Sequence, residues 1–246
     1  MPQKQMSGFT LVELAIVLMI IGLLIGGILR GQELMENSRV NALIQQVKAY
    51  QGAKVTFMDA YSSLPGDLPT ATTRIPGCNA ATPNICGNGN GNGLVGEPGS
   101  TAVQAGLTTM PQIETSYFWK HLALTHLISG VTPSAVITTT DWGQTHPASK
   151  TGDGGFTIFY STQAHDWGVG HRIRLQMAPR SPGGKGTSPI SPIRARQVDL
   201  KMDDGRSSVG DVTADSHASE CNDETQPGGV YLNTEEKNCI MYFNIE

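Results

Sequence analysis

One long apolar run near the N-terminus restricts what this chain can fold into more than any other feature. From Phe9 to Leu29 the sequence is FTLVELAIVLMIIGLLIGGIL, 21 residues in which Glu13 is the one charged side chain. A helix rises about 1.5 Å per residue, so this run matches the roughly 30 Å hydrocarbon core of a bilayer. No later stretch is comparable, and the sequence therefore predicts one membrane segment followed by a polar remainder.

Three ordinary explanations of the run conflict with its details. A secretory signal peptide has a basic start, whereas the leader MPQKQMSG holds Lys4 alone and Glu13 lies inside the run. A plain anchor would exclude Glu13, because a carboxylate at the membrane centre costs ~2.5–3.5 kcal/mol on insertion scales. A buried core helix would show a polar stripe. Glu13 is therefore a functional candidate. The alternative is that its side chain extends to the membrane surface, because Glu13 lies only one turn inside the run.

The residues around Glu13 resemble a known signal. The stretch Gly8-Phe9-Thr10-Leu11-Val12-Glu13, after a short polar leader and before an apolar helix, is similar to the class III signal of type IV pilins and pseudopilins. The similarity covers about the first 30 residues. It implies cleavage after Gly8 by a membrane aspartic prepilin peptidase and N-methylation of Phe9. It also implies that Glu13 pairs with the N-terminal amine of a neighbouring subunit during docking.

Physical chemistry favours the same role for Glu13. A lone carboxylate in a bilayer needs a partner and is a functional candidate by default. Cleavage would create a free amine at Phe9, and the amine of an adjacent subunit would supply the opposite charge in a low-dielectric setting. Processing and assembly would then be coupled.

Glycines in the run form a second assembly candidate. Gly22 and Gly26 are four residues apart, as are Gly27 and Gly31, and such small-xxx-small patterns let helices approach closely. Gly22 fits many pilins, but Arg30 lies where they often have a proline. The alternative explanation is the higher glycine content of membrane helices in general.

Helical periodicity continues beyond the membrane segment. Apolar residues recur at spacings of three and four, with one gap at Lys54: Val40, Leu43, Ile44, Val47, Tyr50, Phe57 and Tyr61. This pattern predicts an amphipathic helix that ends at Ser62-Ser63-Leu64-Pro65-Gly66. We expect an α+β, pilin-like fold in which a long N-terminal helix, half membrane and half amphipathic, packs on a small loop-rich antiparallel sheet. The predicted segments are a leader (1–8), a transmembrane and assembly helix (9–30), its amphipathic continuation (31–63) and a head (64–246).

The head is polar and weakly charged. Charged residues make up 15% of the chain, against about 25% in typical proteins, and Gly 29 and Pro 14 indicate many loops. A net charge of −4 provides no basic field for nucleic acid, which is not an expected partner. Helices are predicted at 112–128 and 192–202, and strands at 136–140, 156–160, 172–177, 228–232 and 240–245.

The alternating Gly-Asn run at 87–93 predicts a flexible or tightly turned loop. Its spacing has a weak likeness to calcium loops, with asparagine in place of each aspartate. Four cysteines form two close pairs, Cys78/Cys86 and Cys221/Cys239. In an exported domain they indicate disulfides with three allowed connectivities, of which local pairing is the simplest. The second pair resembles the C-terminal disulfide-bounded region of many type IV pilins, and zinc binding lacks a C-x-x-C spacing.

Acidic residues near the C-terminus are a candidate calcium site. They are Asp199, Asp203, Asp204, Asp211 and Asp215, of which the first three are the expected ligands. Carboxylates near a loop suit Ca²⁺, and some pseudopilins hold calcium in a C-terminal acidic loop. A solvated acidic turn is the competing interpretation, and no other cofactor is expected.

No catalytic motif is present, since H-E-x-x-H, G-x-S-x-G and P-loop patterns are all missing from the sequence. We therefore expect a structural subunit, not an enzyme. The resemblance implies an inner-membrane precursor with a periplasmic head that joins a pilus or secretion pseudopilus. Its partners would be other subunits, the prepilin peptidase and an inner-membrane assembly platform. The alternative is a membrane-anchored periplasmic ligand-binding or hydrolytic domain. The sequence does not separate major pilin, minor pilin, pseudopilin and DNA-uptake pilin.

Overall fold

The computed structural model of the chain describes most of its length. The described residues are 10–79, 86–96, 114–135, 141–151, 153–161, 172–179, 188–216, 220–223 and 225–245. The chain divides into two compact units, with the boundary between Arg39 and Val40. Helix α1 (Leu11–Tyr61) contributes to both units.

In the first unit, α1 is a helix with an uncovered apolar surface. All residues from Thr10 to Arg30 are exposed. Leu34 and Met35 are also exposed. Two ion pairs within the helix mark the end of the apolar run: Arg30 with Glu33 and Arg39 with Glu36, each at 2.7 Å.

In the second unit, α1 presents the apolar stripe that the sequence predicts. Its buried residues are Val40, Leu43, Ile44, Val47, Tyr50, Ala53, Lys54 and Phe57. Lys54, which the sequence places in a gap of the stripe, is buried with the rest and donates a hydrogen bond to the carbonyl oxygen of Ile245. The stripe is therefore continuous, because the ammonium has an acceptor inside the fold. The helix ends at Tyr61, where Ser62 takes a φ of 55°.

The sheet of the second unit is antiparallel, as predicted. Strands β1 (Gly155–Ser161), β2 (Arg172–Ala178), β3 (Val212–Ser216) and β6 (Cys239–Asn244) lie in the order β1-β2-β6-β3. The short strands β4 (Asn222–Asp223) and β5 (Val230–Tyr231) form a separate pair. Three further helices are α2 (Ala71–Arg74), α3 (Glu114–Leu124) and α4 (Pro192–Met202).

The core lies between the buried side of α1, the sheet and α3. The Tyr50 ring meets Trp119 of α3 edge-on at 5.1 Å and Phe156 of β1 at 5.5 Å. Apolar strand residues such as Ile158 and Leu175 are fully buried, and neighbours on the opposite face of the sheet, such as Thr157 and Arg174, are buried as well. Burial of each such apolar side chain contributes roughly 1.5–3 kcal/mol. The α+β fold class is confirmed.

Several elements differ from the predicted ones. The predicted helix 112–128 ends at Leu124 because His126 takes a φ of 59° and the N–H of Leu127 bonds the carbonyl of Leu122. The predicted strand 228–232 narrows to Val230–Tyr231, since Gly228 and Gly229 have positive φ values. Strand β3, strand β4 and helix α2 were not predicted. The predicted strand at 136–140 lies outside the described residues.

The structure contains two disulfides with the local pairing, Cys78–Cys86 and Cys221–Cys239. They close loops with sequence separations of 8 and 18 residues. Both bonds join loop-rich segments to the buried core, because all four cysteines are buried.

We expect the double substitution Cys221→Ser/Cys239→Ser to lower the free energy of unfolding by about 3 kcal/mol, because the unfolded chain gains loop entropy. The matched pair Cys78→Ser/Cys86→Ser closes a shorter loop and should lower it by about 2.5 kcal/mol. Urea unfolding monitored by circular dichroism measures both values. Unchanged stability in the first variant would contradict this assignment.

Candidate functional site

The first turn of α1 is closed by Thr10 and Glu13. The N–H and the Oγ1 hydroxyl of Thr10 both donate to Glu13 Oε2, at 2.8 and 2.9 Å. The N–H of Glu13 donates to Thr10 Oγ1 at 3.3 Å. These reciprocal bonds form a capping box, which satisfies N–H groups that a helix start otherwise leaves unpaired. Gly8 and Phe9 lie outside the described residues.

The capping box gives Glu13 a structural role within its own chain. One carboxylate oxygen, Oε2, holds the helix start, so that α1 begins at Leu11. The sequence analysis did not select Thr10, although Thr10-Leu11-Val12-Glu13 matches the S/T-x-x-E pattern of a capping box. That pattern was a sufficient signal for this residue.

The two glycines chosen as assembly candidates lie on the open surface of α1. A Cβ atom at Gly22 or Gly26 would meet nothing within 4 Å. By length and composition, α1 is also apolar enough to cross a membrane, and its most apolar window has none of its residues buried. So large an apolar surface indicates contact with lipid or with another protein surface.

The structure brings together the three aspartates expected to be the calcium ligands. One carboxylate oxygen from each of Asp199, Asp203 and Asp204 lies within 4.8 Å of the other two, at the end of α4. Asp199 is fully buried and accepts bonds from the Tyr231 hydroxyl at 2.8 Å and from the N–H of Gly205 at 3.1 Å. Burial is the main cause that raises the pKa of Asp199 to about 7, and the nearby Asp204 and Asp203 add to it.

One carboxylate oxygen each of Asp203 and Asp204 also accepts hydrogen bonds from backbone N–H groups. Asp203 Oδ2 accepts the N–H groups of Asp211 and Val212, and Asp204 Oδ1 accepts the N–H of Arg206. Asp211 Oδ1 accepts a bond from the side chain of Asn244 instead of joining the cluster. These contacts close α4 and orient β3. Calcium binding by the three carboxylates stays a prediction.

The Gly-Asn run is tightly turned around two buried carboxylates. Asp67 Oδ1 accepts the N–H groups of Gly91 and Asn92 at 2.7 and 3.1 Å, and Oδ2 accepts that of Gly93 at 2.8 Å. Glu114 accepts the N–H groups of Asn90 and Gly96 at 2.8 and 3.0 Å. The loop therefore points its N–H donors inward, which is the opposite of a calcium loop.

No local sequence pattern identifies Asp67 or Glu114 as a partner of this loop. Asp67 lies 24 residues before Gly91, and Glu114 lies 24 residues after Asn90. Their pairing with the loop follows from tertiary packing alone. Both carboxylates are almost completely buried, at 2% and 8% exposure.

His121 of α3 anchors the two ends of the same region. Its Nδ1 accepts the N–H of Gly66 at 2.9 Å, so Nε2 carries the proton and donates to the carbonyl of Gly87 at 3.1 Å. Burial lowers the pKa of His121 to about 4. Its ring lies close to the sulfurs of Cys78 and Cys86. This trio has no ligand capacity, because the sulfurs are disulfide-bonded and both ring nitrogens are hydrogen-bonded.

We expect an opposed pH dependence of stability from three buried groups. Burial lowers the pKa of His121 to about 4 and that of His146 to about 3, so both stabilise the fold above about pH 6.5 and lose this contribution on acidification. Asp199, with its pKa raised to about 7, gains stability on acidification instead. Between about pH 4.5 and 6 the unfolded chain binds one more proton net. In this range the three groups together lower the free energy of unfolding by about 1.4 kcal/mol for each pH unit of acidification.

Asp199→Asn removes the opposing contribution and should steepen this loss to about 2.7 kcal/mol per pH unit. Urea unfolding at several pH values in a calcium-free buffer measures the slope. The matched control is Asp59→Asn, which changes an exposed carboxylate. A slope that is equal in wild type and Asp199→Asn would contradict the assigned protonation of Asp199.

One groove of the second unit is lined by residues 42–50 of α1 and by the segments 127–130 and 143–150. Its volume is about 500 Å³, and Gln46, Tyr50 and Lys150 are among its lining residues. None of the described residues lining this groove is a histidine, aspartate or glutamate.

Comparison with known proteins identifies the N-terminal segment. Residues 3–29 match the family description "Prokaryotic N-terminal methylation motif". No curated protein sequence matches the chain. Among solved structures, the major type IV pilin PilA1 from Clostridium difficile aligns at 10% identity over 86% of this chain and 96% of that chain, with a TM-score of 0.35. A likeness at that level supports no argument about the head.

Proposed function

We propose that this chain is a type IV pilin-like or pseudopilin subunit that is cleaved after Gly8, N-methylated at Phe9 and polymerised through the first unit of α1. The observation that carries the proposal is the methylation motif over residues 3–29. The uncovered apolar helix surface that follows this motif supports it. The role is structural, and the head carries the surface that the assembled subunit displays.

The exposed apolar surface of α1 would lie first in the membrane and then against other subunits. As a precursor, the chain would hold the helix in the inner membrane as a single span with its head in the periplasm, where disulfides form and persist. On assembly, the helices of neighbouring subunits would replace lipid around the same surface. Gly22 and Gly26 favour that exchange, because nothing covers them and they let helix backbones approach closely.

Glu13 would couple processing to assembly. The capping box uses Oε2 of Glu13 within the subunit. Cleavage after Gly8 would create the amine of Phe9, and the amine of a neighbour would neutralise Glu13 away from water. An uncleaved neighbour has no such amine at this depth and would not dock.

A subunit of this kind would have three classes of partner. They are copies of this chain or related subunits, a prepilin peptidase and an inner-membrane assembly platform. The final location would be a pilus at the cell surface or a pseudopilus in the periplasm. Acidic net charge, −4 for the chain, does not favour nucleic acid as a partner.

Mass spectrometry of the mature N-terminus tests the proposal. The expected product begins at Phe9 and carries one N-methyl group. Gly8→Val is the matched control, since a branched side chain next to the cut should leave the precursor whole. A wild-type chain that keeps Met1, or one that is cut beyond residue 29, would overturn the proposal.

A further inference from the structure

The loop at 87–96 contains three Asn-Gly bonds: Asn88-Gly89, Asn90-Gly91 and Asn92-Gly93. At such bonds the glycine nitrogen attacks the side-chain carbonyl carbon of asparagine, forms a five-membered imide and expels ammonia. Water then opens the ring at either carbonyl and leaves aspartate or isoaspartate. The net change is asparagine plus water to an acid plus ammonia. Glycine favours the attack because it has no Cβ and moves freely.

The attacking nitrogens are held by Asp67. The N–H of Gly91 lies 2.7 Å from Asp67 Oδ1, and the N–H of Gly93 lies 2.8 Å from Oδ2. The nitrogen must lose its proton to react, and a carboxylate bound to that proton opposes the loss electrostatically. Gly89 differs, since its N–H bonds the carbonyl of Leu68 at 3.0 Å.

The asparagine side chains under attack are held as well. Asn90 Oδ1 accepts the N–H of Asn92 at 2.9 Å, and Asn92 Oδ1 accepts the N–H of Leu94 at 2.9 Å. Rotation of either side chain toward its glycine would break a bond and leave a backbone donor unpaired. Reaction therefore requires the loop to open.

The surrounding packing opposes local opening. A Cβ at Gly91 would come within 2.5 Å of the Pro69 side chain, and Gly91 has a φ of 74°. Asp67, which holds both glycines, is 2% exposed. The folded loop therefore holds Asn90-Gly91 and Asn92-Gly93 in a conformation that does not favour the reaction.

We propose that the loop at 87–96 is a latent deamidation site guarded by Asp67. Asn90 and Asn92 remain amides while Asp67 holds Gly91 and Gly93, and react with water when the loop opens. Each conversion adds a carboxylate beside Asp67 and Glu114, and the repulsion hinders reclosure. Deamidation is irreversible, so the fraction of converted chains increases with the time that the loop spends open. This site is independent of the proposed assembly role.

Asp67→Asn in the full disulfide-bonded chain tests the site. The amide keeps one accepting oxygen, so at least one of the two glycine N–H groups is released. Incubation at physiological pH and temperature, followed by peptide mapping with isoaspartate detection, should show conversion at Asn90 or Asn92 rising about ten- to a hundredfold. Asn88 should change much less, because the acceptor of Gly89 is untouched.

Glu114→Gln is the matched control. It removes the other buried carboxylate of the same loop, but it leaves Gly91 and Gly93 on Asp67, so Asn90 and Asn92 should stay far slower than in Asp67→Asn. Equal rises at all three asparagines in Asp67→Asn, or equal rises in both variants, would overturn the proposal. Should Asp67→Asn not fold, wild type decides: conversion of Asn90 and Asn92 as fast in the folded chain as in urea would overturn it, and strong slowing by folding supports it.

Discussion

Glu13→Gln is expected to leave cleavage after Gly8 intact while the yield of assembled subunits falls at least about tenfold, the equivalent of 1.4 kcal/mol. Glutamine keeps an oxygen for the capping box with Thr10, so α1 still begins at Leu11. It lacks the charge that would meet the amine of a neighbour. The substitution therefore separates the two roles of this carboxylate.

Three measurements on the same cells check this expectation. The mass of the subunit reports cleavage, membrane fractionation reports insertion, and sedimentation of sheared filaments reports assembly. Glu13→Ala, which removes cap and charge together, should also be processed and fail to assemble. Glu33→Gln, an exposed carboxylate on the same helix, is the matched control. Filaments at wild-type yield from Glu13→Gln would exclude a docking role for the charge.

Asp67→Ala is expected to lower the free energy of unfolding of the second unit by about 3–5 kcal/mol. Three backbone donors, those of Gly91, Asn92 and Gly93, lose their acceptor in one step. Hydrogen bonds to a charged group are worth about 1.5–3 kcal/mol each, and their losses do not simply add. The exposed control Asp59→Ala should stay within about 0.5 kcal/mol.

Urea unfolding followed by tryptophan fluorescence measures the loss, since Trp119 is completely buried in the fold. Limited proteolysis provides an independent readout, since cuts within 86–96 should appear in Asp67→Ala before the rest of the head is attacked. A loss below about 1 kcal/mol would show that the loop is held by other contacts. Stability equal in Asp67→Ala and Asp59→Ala would exclude the carboxylate as its anchor.

Helices α1 and α4 followed from the sequence because their signals are local. The apolar run is long and continuous, the stripe from Val40 to Phe57 repeats at the helical period, and the structure shows one helix through both. Helix α4 begins at Pro192 and ends at Met202, as the proline and the following turn predict. In each case the residues that specify the element lie inside it.

Strand β3 was not predicted, because its own residues do not determine its position in the sheet. Val212–Ser216 holds few apolar side chains, and Asp215 made it look like part of an acidic loop. Its place in the sheet depends on pairing with β6, in which Ala214 faces Met241. A weak local preference becomes a strand only when a partner strand is present.

The candidate site divides along the same line. The methylation motif at residues 3–29 contains both Glu13 and its capping partner Thr10, so the sequence alone specifies this segment. Asp67 and Glu114 meet their loop across 24 residues each, and Asp199 meets Tyr231 across 32. Local periodicity and local motifs determined the N-terminal segment. Only the tertiary structure decided how Asp67, Glu114 and Asp199 are paired, because a buried carboxylate needs hydrogen-bond donors and here these come from residues distant in the sequence.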